Sequence, residues 1–131
     1  MKILVVDDEF VSLQKLSLLL SAYGKCDAAT NGEQALEMFR IAHQQNTPYS
    51  LITLDIDMPG MDGPTVAEHI RQYELESGIT SMEQQGKILM VTAMTDGKSI
   101  MSSFKKGCEG YLNKPFNEET IRVSLANIGI L

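Results

Sequence analysis

Residues 51–63 read LITLDIDMPGMDG. A largely apolar run, Leu51 to Leu54, leads directly into Asp55, and Asp57 and Asp62 follow within eight positions. A short run that is apolar at successive positions, not at alternate ones, marks a strand buried on both faces, which is the habit of parallel sheets covered by helices. The stretch therefore describes a buried strand that ends by delivering acids to one edge of a sheet.

The pattern continues in both directions. Upstream, KILVV (2–6) is a second such run, followed by Leu13, Leu16 and Leu20 at the spacing of one helix face, with the helix expected to end near Gly24. KCDAA (25–29) reads as a weaker strand, and NGEQALEMFRIAHQ as a helix with Asn31 as its cap and Ala35, Phe39 and Ala42 on one face. Downstream, Pro64 opens a third helix. KILMVTA (87–93) is a fourth strand, Ser99 to Lys106 a fourth helix carrying Ile100 and Phe104, and GYL (110–112) a fifth strand. Asn117, backed by Glu118 and Glu119, caps a last helix bearing Ile121, Leu125 and Ile128. Residues 77–86, SGITSMEQQG, are either an exposed loop or a frayed extension of the third helix. Five β-α units without a repeat or a linker imply one α/β domain over residues 1–131, a doubly wound five-stranded parallel sheet with helices on both faces.

Composition narrows the function. The chain has 131 residues, 44 % of them hydrophobic, and its 11 basic against 17 acidic side chains give a net charge of −6. A chain so acidic lacks the clustered cations that hold nucleic acid phosphates, so no direct nucleic-acid binding is expected. No apolar run approaches the roughly 20 residues that span a bilayer, and MKILVVDDE turns acidic too soon for a signal peptide, so the expectation is a cytoplasmic protein without membrane insertion. Cys26 and Cys108 form no CxxC and no metal pattern, so both read as packing thiols that are expected to stay free. His43 and His69 lie on helices without carboxylates at metal spacing, and Met58, Met61, Met90, Met94 and Met101 read as packing.

In an open α/β sheet, ligands bind beyond the carboxyl ends of the strands. Those ends carry Asp7, Asp8 and Glu9 after the first strand, Asp55 and Asp57 after the third, Thr92 after the fourth, and Lys114-Pro115 beyond the fifth. Clustered carboxylates repel unless a cation neutralises them, and Mg²⁺ binds through one or two carboxylates while keeping water or phosphate oxygens. A lysine and a hydroxyl beside them suit phosphoryl oxygens. An acid left free of the metal can act as nucleophile, and on spacing alone either Asp55 or Asp57 qualifies. Asp62-Gly63 reads as turn chemistry outside the reaction.

Taken together, the acid pair after strand one, DIDMPGMDG, the TA after strand four and YLNKPF resemble a response-regulator receiver domain over nearly the whole chain, in the manner of the single-domain chemotaxis regulator. The resemblance implies a flavodoxin-like sheet of order 2-1-3-4-5. It chooses Asp55, four residues before Pro59, as phosphoacceptor. It implies Mg²⁺ held by Asp8, by Asp7 directly or through water, by Asp55 and by the backbone carbonyl of Asp57. Thr92 and Lys114 would contact the phosphoryl oxygens, Lys114-Pro115 would be cis, and Thr92 with Tyr111 would form the switch. Asp57 and Met94, at positions where receivers vary, would tune the rate. The implied function is a phosphorylation-controlled signalling switch and not a metabolic enzyme, taking its phosphoryl group from a histidine kinase or phosphotransfer protein. Output is expected through a separate downstream protein, since no effector segment follows residue 131. The 77–86 region is longer than the family usually shows. One rival reading is an aspartate-nucleophile phosphatase of the haloacid-dehalogenase type, suggested by the DxD at 55–57. That pattern belongs after a first strand, with Thr or Val where Pro59 stands. A second rival, a receiver-like docking module, would lack the acids or the lysine that this chain keeps.

Overall fold

A computed structural model of the chain describes residues 1–93 and 107–131. Met94, Met101 and the helix expected over 99–106 lie outside the described residues. The described elements are β1 (Lys2–Val6), α1 (Phe10–Leu20), β2 (Lys25–Ala29), α2 (Gly32–Gln44), β3 (Leu51–Asp55), α3 (Gly63–Glu76), β4 (Lys87–Thr92), β5 (Gly110–Asn113) and α4 (Glu118–Asn127). All neighbouring strands are parallel, in the order β2-β1-β3-β4-β5.

Side-chain alternation sorts the strands into two cores. Ile3, Val5, Leu51, Leu89 and Val91 pack against Leu13, Leu16 and Leu20 of α1 and Ile121 and Leu125 of α4. Leu4, Val6, Ile52, Leu54, Ile88 and Met90 pack against Phe39 of α2 and Val66 and Ile70 of α3. Both faces of the sheet are thus covered. Cys26 lies against the first core and Cys108 within the second, and both are free thiols.

Helix starts follow their polar caps. Asn31 Oδ1 accepts from the Gln34 N–H at 2.8 Å, and Asn117 and Thr120 form a reciprocal capping box. Helix ends depend on left-handed residues. Gly78 (φ 79°) closes α3 with Ile79 N–H bonded to Glu74 O and Gly78 N–H to Leu75 O, and Asn46 and Gly129 close α2 and α4 in the same way. Residues 77–86 therefore form a loop and not an extension of α3. Gly24 does not end α1. That helix stops at Leu20, where the Ser21 hydroxyl donates to Leu18 O, and Gly24 instead makes room, since a Cβ there would lie 2.2 Å from Met1 O.

Candidate functional site

The parallel register brings the carboxyl ends of β1, β3, β4 and β5 to one edge. Val6 pairs with Leu54, Asp55 with Val91, and Thr92 with Asn113. The next residue after Val6 is therefore Asp7, and the next after Asn113 is Lys114. Four segments distant in sequence converge because every pair of neighbouring strands is parallel.

Asp7 and Asp55 are buried and Asp8 is exposed; one carboxylate oxygen of each lies within 4.8 Å of the others. Lys114 Nζ stands 3.2 Å from Asp7 Oδ2 and 3.3 Å from Asp55 Oδ2. Backbone amides hold the other oxygens. Glu9 N–H donates to Asp7 Oδ1 at 2.9 Å, and Asp57 N–H donates to Asp55 Oδ1 at 3.2 Å. The Lys114–Pro115 peptide is cis, and Lys114 N–H donates to Thr92 O at 2.8 Å, which ties the lysine to the end of β4.

Burial, then the charge of Asp7, pushes the Asp55 carboxyl up to about 6, against the opposing pull of Lys114. Burial alone would lower Lys114, but the Asp55 and Asp7 carboxylates outweigh it and raise the ammonium. The edge is a cation facing two buried acids, with a third acid at the rim. All of its donors are oxygens, and with three carboxylates against one lysine it keeps an excess of negative charge. That donor set fits a hard divalent cation such as Mg²⁺.

Asp57 is exposed, and its backbone N–H is the group it turns to Asp55. Thr92 is buried at the end of β4. Tyr111 is half-buried against the α2–α3 core and registers with Met90, two residues before Thr92 and on the same face of the strand. His43 and His69 stay on the helices, and His43 packs edge-on to Phe39 at 4.7 Å between ring centroids.

Asp62 lies outside the acid cluster, as expected, but its task is to cap α3, accepting from Thr65 N–H at 2.9 Å. Gly63 is the first residue of that helix and was missed as a site determinant. A Cβ on it would lie 2.4 Å from the carbonyl oxygen of Asp55, so only glycine lets α3 start this close to the acid. The turn itself falls to Gly60, at φ 78°. The pairing of carboxylates with amides two residues downstream was also missed, although Asp is the residue that favours such local bonds.

Comparisons with known proteins agree with this fold. A family model described as the response regulator receiver domain matches residues 3–126. The sensor histidine kinase GacS of Pseudomonas protegens is 33 % identical over 121 residues, which is 92 % of this chain and 12 % of that protein. Across eight of the curated relatives it matches, the chain spans between 7 % and 47 % of their length. Among solved structures, chemotaxis protein CheY4 of Vibrio cholerae shares 29 % identity and superposes with a TM-score of 0.77, covering 97 % of each chain. The receiver domain of the histidine kinase CKI1 from Arabidopsis thaliana, solved with Mg²⁺ and BeF₃⁻, is 24 % identical with a TM-score of 0.80, covering 97 % of this chain and 88 % of that one, and speaks for the fold alone. The acid edge, the sheet order and a family match across nearly the whole chain lead to one conclusion: the chain belongs to the response regulator receiver domain family of two-component systems.

Proposed function

We propose that residues 1–131 act as one cytoplasmic receiver domain that accepts a phosphoryl group on Asp55 from a histidine kinase or phosphotransfer protein, and that a separate downstream protein reads the result. The carrying observation is the position of Asp55, a buried carboxylate at a strand end between the Lys114 ammonium and the acids Asp7 and Asp8. No helix among the described residues is long and apolar enough to cross a membrane, in keeping with this reading.

In the proposed reaction an Asp55 carboxylate oxygen attacks phosphorus. The bond from phosphorus to the donor nitrogen breaks, and the leaving imidazole keeps the electron pair. Lys114 faces the oxygens that gain charge, and Thr92 supplies a hydroxyl at the same edge. Asp7, Asp8, Asp55 and the Asp57 carbonyl are the residues that would hold Mg²⁺, whose chemistry there is to neutralise acids and phosphoryl oxygens together. Movement of Thr92 toward the phosphoryl group makes space for Tyr111, which is how the edge would signal to the surface around β5 and α4. Asp57 and Met94 are proposed to tune the rate. The turnover is confined to the domain's own acyl phosphate, so this is a switch and not a metabolic enzyme.

The test uses acetyl phosphate with Mg²⁺ and intact-mass spectrometry. The parent gains one acid-stable, base-labile phosphate on Asp55, and Asp55→Asn gains none. A phosphate of the same stability on Asp55→Asn overturns the assignment.

A further inference from the structure

The strand order leaves β2 at one edge of the sheet. Lys25 N–H donates to Met1 O at 2.9 Å, and Ala29 O accepts from Asp7 N–H at 3.1 Å. Lys25, Asp27 and Ala29 therefore spend their main-chain groups on β1. By the alternation of a ladder, Gly24, Cys26 and Ala28 turn theirs away from the sheet. Ala28 is exposed, Gly24 and Cys26 are half-buried, and no described strand pairs with this side.

Beside this edge runs an apolar groove of about 940 Å³ between α1 and β2. Phe10, Val11 and Leu18 line it at 66 %, 70 % and 75 % exposure, with Cys26 and Ala28 on the strand side. Single exposed apolar residues need no explanation, but three on one helix flank beside an open strand form a patch. On the other face of the strand stand Lys25 and Asp27, two residues apart. Lys25 is exposed and its ammonium has no partner among the described residues. Asp27 accepts from the Tyr49 hydroxyl at 2.8 Å through Oδ2, which leaves Oδ1 for another partner.

We propose that a second copy of this chain occupies this edge, β2 against β2 in antiparallel pairing about a two-fold axis at Cys26. In that register Cys26 faces Cys26 and Gly24 faces Ala28, so each outward-turned residue meets another and exchanges both main-chain bonds. Lys25 of each copy lies opposite Asp27 of the other, and both charge pairs are complementary. Charge also selects the register. Moving the axis to Lys25 or to Asp27 keeps the ladder but sets like charges opposite each other, and a one-residue slip loses the ladder. A lone edge lysine guards against a second strand, whereas Lys25 two residues before Asp27 makes the strand complementary to itself. The groove closes as well. α1 packs on both β1 and β2, so joining the two sheets sets the two α1 axes about 10 Å apart, the distance of helices in contact. Phe10, Val11 and Leu18 of the two copies then cover each other. Such an isologous contact stops at two copies, because each copy's free β2 edge is used up.

The experiment is sedimentation equilibrium of the metal-free, unphosphorylated protein over a range of concentrations, with amide hydrogen exchange on the same samples. The parent is expected to dimerise, with exchange at Cys26 and Ala28 N–H slowing as concentration rises. Lys25→Glu sets like charges opposite each other at both contacts and is expected to weaken the dimer about tenfold. Asp27→Lys does the same from the other side, and Asp27→Asn, which keeps an acceptor for Tyr49, weakens it less. Mixed in equal amounts, Lys25→Glu and Asp27→Lys place opposite charges at both contacts. That mixture is expected to associate as tightly as the parent, which also shows that both variants are folded. A parent that stays monomeric up to about 1 mM overturns the proposal and leaves the groove to another protein. A dimer that ignores Lys25→Glu, or that leaves exchange at Cys26 and Ala28 unchanged, uses another face and overturns it as well.

Discussion

Asp57 donates its backbone N–H to Oδ1 of Asp55 at 3.2 Å, while Lys114 reaches Oδ2 at 3.3 Å. The two oxygens of the Asp55 carboxylate are thereby distinguished, one oriented by the main chain and the other paired with a charge. Because the Asp57 contact uses the backbone, its side chain can be changed without disturbing the orientation of Asp55.

Asp57→Asn tests charge alone. The Asp57 carboxylate is exposed, so solvent and salt screen it. Its removal is expected to weaken Mg²⁺ binding and, at saturating Mg²⁺, to speed phosphorylation by acetyl phosphate about threefold through lost repulsion of the anionic donor. A Mg²⁺ titration of the rate yields both constants, and an equal or slower saturated rate shows that repulsion does not control the step.

The raised Asp55 carboxyl makes stability depend on pH. Its folded value of about 6 lies above the ordinary 3.8, chiefly through burial and then through Asp7. The folded state therefore binds the extra proton between those values. This group's contribution is fully present below about pH 4 and is lost as pH rises through 6. In metal-free protein the loss is on the order of 3 kcal/mol. Urea midpoints from pH 4 to 7 should fall more steeply for the parent than for Asp55→Asn. Glu109, also raised mainly by burial, adds a slope of the same sign to both proteins and cancels in that comparison.

Thr53, in the middle of β3, is fully buried and its hydroxyl has no partner among the described residues. Thr53→Val keeps the shape and removes the unsatisfied group. A gain of about 1 kcal/mol is expected, read as a higher urea midpoint at constant m-value. A loss of stability would mean that a water or another unseen partner satisfies the hydroxyl.

Legibility in the sequence followed the range of the interaction. The alternation of Ile3 and Val5 with Leu4 and Val6, the Asn31 and Asn117 caps, and Pro64 in the first turn of α3 are all local patterns, and each holds in the fold. The acids at strand ends were legible because a parallel sheet gathers such ends whatever the loops do. The cluster in which the Arg71 guanidinium bonds both Glu74 and Glu109 was not. Arg71 and Glu109 are 38 residues apart, and long charged side chains in such positions read as solvent-facing until the packing is known. Gly63 was misread for a related reason. Asp-Gly signals a turn locally, whereas the demand for a glycine comes from the Asp55 carbonyl, a tertiary contact that no local pattern records.

The 77–86 loop leaves α3 and enters β4 at Lys87, five residues before Thr92. At about 3.3 Å per strand residue, that places it some 17 Å along the strand from the acid edge. Met82, at 69 % exposure, is its exposed large apolar side chain. A spectroscopic label or an affinity tag grafted near Met82 can therefore report on the domain without crowding the edge that holds Asp7, Asp55 and Lys114, and a change in the length of this loop is separated from that edge by the whole height of the sheet.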